Sequence, residues 1–150
     1  MAQFIGTSMP RGFAGELTRA YYTNLVETKL NDKAAPVVAF GFPVKVNDAK
    51  NAITPCKSAE DAGKVYGFSV RFYGQAQTSD QHPTEGAPIG VLRKGYVAVK
   101  CKGGTPALGD KVYLTAKGEV TAEAAGTAIE GAQFMGAVDA DGLAEISFNI

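Results

Sequence analysis

At 150 residues, 45% of them hydrophobic and 20% charged, the chain has the length of one domain and can bury a core without metal or disulfide staples. Its 15 basic and 15 acidic residues cancel, which leaves no field to recruit nucleic acid or an anionic membrane. No apolar run approaches the roughly 20 residues of a membrane span, and the start MAQFIGTSMPRGF lacks the charged head and long apolar centre of a secretory signal. Cys56 and Cys101 have no metal-ligand spacing, so in the reducing cytoplasm this implies they read as free and buried.

Eighteen glycines and many short β-prone runs point to a mainly β domain, an antiparallel sandwich or small barrel. Residues 1–24 read as an extended N-terminal arm ahead of one domain at 25–150. Leu17, Tyr21 and Leu25 are also spaced for a helical stripe, but Gly6, Pro10, Gly12 and Gly15 open the segment. The arm carries Phe4, Ile5, Met9 and Phe13 without periodicity, and apolar anchors on a terminal arm can dock on a neighbouring chain or pack on their own domain. Residues 25–30 suit a strand. Residues 36–46, PVVAFGFPVKV, are almost continuously apolar, and Pro43 inside them predicts an edge strand or a bulge. Ser58 and Asp61 are spaced as a capping pair for a helix that Gly63 stops after one turn.

Residues 65–73 alternate as a strand, with Phe68, Val70 and Phe72 on one side. Residues 75–88, QAQTSDQHPTEGAP, form the most polar stretch and predict a long surface loop. Residues 89–92 then lead into a meander. In 95–101, Val97, Val99 and Cys101 share a face against Tyr96, Ala98 and Lys100. Residues 111–115 and 119–121 flank Ala116-Lys117-Gly118, with Gly118 suited to the left-handed position of a three-residue hairpin loop. Residues 132–138 and 143–150 repeat the device across Asp139-Ala140-Asp141-Gly142. In the last run Ala144, Ile146, Phe148 and Ile150 oppose Glu145, Ser147 and Asn149.

Chemistry is hard to build from these residues. His82 is the single histidine, so neither a catalytic triad nor a zinc site can use more than one imidazole. Asp80, His82 and Glu85 share one loop, but solvated polar loops show such triplets by chance. Glu60 and Asp61 suit the first turn of a helix better than a shared substrate atom. Asp139 and Asp141 suit turn geometry and lack the further oxygens of a calcium loop. The glycines around Lys64 and Lys102 lack phosphate-loop spacing, and Cys101 has no paired base. No catalytic residue, cofactor or metal is assigned.

GYVAVKCKGG, ALGDKVYL, the hairpin KGEVT and the ending GAQFMGAVDADGLAEISFNI, with the earlier FGFPVKV, resemble the structural cement proteins of tailed bacteriophages. The resemblance runs from about Leu25 to Ile150 and is most specific at the chain end. It implies a non-enzymatic capsid decoration protein on the outer face of the icosahedral head, made in the host bacterial cytoplasm. Its partners would be the major capsid protein and itself, a homotrimer in preference to a homodimer, with no nucleic acid and no membrane. Carried onto the arm, it makes Phe4, Ile5, Met9 and Phe13 candidate capsid contacts. Many modest contacts repeated over a shell suit such a role, because avidity replaces single-site affinity. The alternative is a virion-displayed carbohydrate- or receptor-binding β module, for which Tyr73 and His82 would supply an aromatic patch. A small hydrolase is the third reading.

Overall fold

The alternating runs become strands in the computed structural model, which describes residues 12–71 and 82–150. Among these residues the strands are β1 (Leu25–Asn31), β2 (Pro43–Val46), β3 (Ala52–Pro55), β4 (Gly67–Val70), β5 (Pro88–Lys100), β6 (Tyr113–Leu114), β7 (Val120–Thr121), β8 (Ala132–Phe134) and β9 (Leu143–Asn149). The large sheet runs β1-β3-β2-β4-β5-β9-β8, and β1 also pairs with β5. That extra pairing closes β1, β3, β2, β4 and β5 into a five-stranded ring, a small barrel. The sheet is mixed where an antiparallel one was expected: β1 and β3 run parallel, matched at Leu30↔Ala52 and Asn31↔Ile53. β6 and β7 form a separate two-stranded ribbon.

Two apolar clusters share the β4–β5 wall. One gathers Val37, Val44, Ile53, Ile89 and Val91, with Phe42 and Tyr66 against it. The other gathers Phe68, Val70, Leu92, Val97, Val99, Phe134, Ile146 and Phe148, among others. Period-two alternation sends Ile89 and Val91 to the first and Leu92 to the second. Beyond Leu92 the parity reverses, so that Val97 and Val99 also face the second cluster. The cause is a bulge: Leu25 pairs Lys94 while Val26 pairs Leu92, leaving Arg93 unmatched. Gly95 follows at φ 133, and a Cβ there would stand 2.0 Å from Asn24 Oδ1 and 2.9 Å from Asn24 Cα. One strand of 13 residues thereby serves two cores.

Pro43 is neither on an edge strand nor at a bulge. It is the first residue of β2, which is flanked by β3 and β4. A first position tolerates the missing N–H, and the residues before it, 37–42, cross as a loop. Buried Asn31 stitches that loop down: Val37 N donates to Asn31 Oδ1 at 2.8 Å, while Asn31 Nδ2 donates to Val37 O and Thr84 O, both at 3.1 Å.

Other strands shorten. The expected strand at 65–73 is ordered as a strand only over Gly67–Val70, with Phe72 and Tyr73 outside the described residues, and 132–138 contracts to Ala132–Phe134. Ile150 lies past the end of β9 and is 70% exposed, although its spacing put it on the buried face with Ala144, Ile146 and Phe148. Gly118 takes φ 78, as its loop position requires, and a Cβ there would meet Cys56 O at 2.1 Å. The helix after Ser58 is a 3-10 helix, Ala59–Lys64. Asp61 Oδ2 accepts from Lys57 N (2.8 Å) and Ser58 N (3.3 Å), and Asp61 Oδ1 accepts from Lys45 Nζ (2.7 Å). Cys56 is free and buried, which pushes its thiol up to about 12, whereas free Cys101 is only half-buried, its Sγ 3.2 Å from Gly103 O.

Candidate functional site

Of the four anchors read from sequence, Phe4, Ile5 and Met9 lie outside the described residues, and Phe13 lies inside them. Phe13 is half-buried, with the Arg71 guanidinium 3.9 Å from its ring centroid. From there the chain enters the sheet. Gly15 N donates to Ala98 O (2.8 Å), Ala98 N to Glu16 O (2.9 Å) and Arg71 N to Gly15 O (2.9 Å). Leu17 makes an antiparallel bridge with Val97, and Thr18 N donates to Tyr96 O at 3.3 Å. Residues 15–18 therefore lie on β5 on the side away from β9. The root of the N-terminal segment is fixed by main-chain bonds that side-chain identity hardly affects.

Arg19 extends that root across the sheet face. Its Nη2 lies 2.6 Å from Glu145 Oε1, and its guanidinium stands 4.1 Å from the Tyr96 ring centroid. Glu145 alternates onto what the sequence presents as a polar face, yet it is 8% exposed. A buried carboxylate needs a partner, and Arg19, 126 positions away, supplies it. No local pattern in β9 signals this pair.

Beside this root lies an open groove of about 660 Å3, bounded by Tyr22, Lys94, Tyr96, Gln133, Ser147 and Asn149. A second groove, about 590 Å3, opens where β1, β2 and β3 meet the Tyr66 ring. Around that ring Tyr66 donates to Glu27 Oε2 at 2.5 Å, the Arg93 guanidinium stacks 3.5 Å from the centroid, and Arg93 Nη1 donates to Tyr66 O. The Tyr66 hydrogen bond, helped by the charges of Lys29 and Arg93, holds the Glu27 carboxyl below its ordinary pKa.

The candidate chemical groups stay apart. Asp139 Oδ1 accepts from Asp141 N and Leu143 N, both at 2.9 Å, so it builds its turn. Asp61 is spent on Lys45 and its helix start. His82 is exposed, with Nδ1 3.3 Å from Pro83 O; its proposed aromatic companion Tyr73, and Asp80, lie outside the described residues. Among the described residues no three His, Cys, Asp or Glu side chains gather to hold a metal ion, and no helix is long and apolar enough to cross a membrane.

Among the described residues, this region holds an N-terminal segment paired with β5 and two open grooves. The family comparison decides whose surface it is, since the sequence matches the structural cement protein family (E217 gp24/Pam3 gp6) over residues 2–149. The chain belongs to that family. The cement protein is thus a structural component of the phage virion, associated with capsid proteins and with a capsid decoration role. Its fold is similar to that of a chain in a solved structure of the capsid of Myoviridae phage XM1. The TM-score is 0.72 at 15% identity, covering 99% of this chain and 97% of the other. No curated protein matches it.

Proposed function

We propose that this cement protein binds the outer face of the icosahedral head and ties neighbouring major capsid subunits together without catalysing a reaction. The observation that carries the proposal is the family match over nearly the whole chain. The N-terminal residues Phe4, Ile5, Met9 and Phe13 are its arm anchors on the capsid protein, with Phe13 nearest the point where the chain pairs with β5. The fixed pairing of residues 15–18 with β5 supports this reading, because it gives an arm a rigid root from which to reach a neighbour. The protein is made in the host bacterial cytoplasm and acts as a homo-oligomer, a trimer in preference to a dimer, so that weak contacts are multiplied over the shell.

Light scattering gives the solution mass, and co-sedimentation with expanded heads lacking the protein gives occupancy. Saturable binding at a fixed ratio per capsid subunit is the expected result, and absence of binding to any head form overturns the proposal. Removal of residues 1–11 is expected to leave a folded protein with most of its head binding lost. If that truncation still decorates heads at full occupancy, the arm assignment falls. A virion-displayed carbohydrate-binding module is the second reading, favoured by Tyr22, 79% exposed, beside the amides of Gln133 and Asn149 in the larger groove. Saturable retention on a glycan array, lost in Tyr22→Ala, would support it.

A further inference from the structure

The groove at the barrel mouth combines an apolar floor with a cationic rim. Half-buried Val46 and Tyr66 give the groove its apolar surface, above buried Ile53, and Lys29, Lys50 and Lys64 stand around it. Lys29 is engaged, its Nζ 3.6 Å from Glu27 Oε2 and 5.6 Å from the Tyr66 centroid. Lys50 and Lys64 are exposed, and among the described residues neither has a side-chain hydrogen bond or ion pair. Asp48 is the one carboxylate on the lining, so with Lys29 engaged by Glu27 the two unpaired ammonium groups of Lys50 and Lys64 face one acid.

The backbone supplies an independent observation. Lys50 has φ 58, the one non-glycine residue with positive φ among the described residues. The β2–β3 turn holds it there: Lys50 N donates to Asn47 O (2.8 Å), Asn51 N to Asn47 Oδ1 (3.2 Å), and Asn47 Nδ2 to Asp32 Oδ2 (3.0 Å). Glycine or asparagine occupies such a position with little strain, whereas lysine is strained there, and strain of this kind clusters at sites where a particular side chain is used.

We infer that this groove docks an acidic protein segment carrying an apolar side chain, contributed by the capsid protein. The apolar side chain seats on Val46 and the accessible part of Tyr66, and its flanking carboxylates meet Lys50 and Lys64. That the segment belongs to the capsid protein rests on the cement reading; the chemistry of the segment does not. A nucleic acid would answer the lysines but leave the apolar floor uncovered, so the floor favours a peptide.

The test uses the full chain, heads lacking cement protein, and the double variant Lys50→Asn/Lys64→Gln. Losing two solvent-screened charge pairs weakens head binding about three- to tenfold and flattens its salt dependence. The thermal midpoint does not fall, because asparagine suits the left-handed turn position. Lys117→Gln, on the Ala116-Lys117-Gly118 loop outside the groove, leaves binding unchanged. Wild-type binding with an unaltered double variant overturns the docking site and leaves the cement reading standing, whereas failure of the wild type to bind overturns both. Equal losses in the Lys117 variant, or lysine-dependent binding of a DNA duplex in place of heads, also overturn the docking site.

Discussion

At the scale of single residues, buried charge is the sharpest constraint in this protein. Burial pushes the Asp61 carboxyl up, but the Lys45 ammonium and the Lys57 and Ser58 amides outweigh it and hold the carboxyl below its ordinary value. A carboxyl with a lowered folded pKa stabilises the fold above the unfolded pKa, and that contribution disappears as pH falls through the folded value. Asp61→Asn is therefore expected to cost roughly 1–3 kcal/mol near neutral pH, and to flatten the acid limb of stability against pH in denaturant melts. A variant that melts like wild type at pH 7 would show that the capping and the ion pair contribute little. This residue was partly legible in the sequence: Ser58 and Asp61 have capping spacing, which is local. The ammonium that completes the site comes from Lys45 on a different strand, and nothing in the neighbourhood of Asp61 announces it.

At the scale of elements, β5 decides the architecture. The alternation of Val97 with Val99, and of Ala144, Ile146 and Phe148, could be read directly, because period two is a property of neighbouring residues. Gly118 and the Asp139 turn were legible for the same reason, each obeying the local rules of tight turns. The continuation of β5 back to Pro88 and the parity change at Arg93 were not, since a bulge is defined by the partner strand and β1 lies some sixty positions earlier. Pro43 misled in the same way: its effect depends on whether it begins a strand, which sequence alone does not fix. Gly95→Ala tests the bulge. Its φ of 133 and the nearby Asn24 backbone leave no room for a methyl group, so the expected loss is about 2–3 kcal/mol in chemical denaturation. A neutral substitution would mean that the strand can straighten at no cost.

For the whole molecule, residues 15–18, within the segment read from sequence as an arm, are paired with β5. Apolar residues without periodicity gave no sign of where the chain joins the sheet, and the bonds from residues 15–18 to β5 are main-chain bonds, invisible to side-chain patterning. Two truncations separate the roles. Removing residues 1–11 is expected to keep the thermal midpoint within a few degrees. Removing residues 1–18 strips the Ala98 and Tyr96 pairings and the Phe13–Arg71 stack, and lowers the midpoint by several degrees more. Equal midpoints for the two would mean that the root adds nothing to the fold.

The T-shaped Phe68–Phe148 pair, with centroids 5.3 Å apart, ties β4 of the barrel to β9 outside it. Together with the wall that both cores share, it couples the barrel to the rest of the sheet among the described residues. Neither half can loosen without exposing residues that the other half buries, so local opening is confined to turns and chain ends. Loosening on one side of β5 is therefore expected to be felt on the other, which couples residues 15–18 to the barrel.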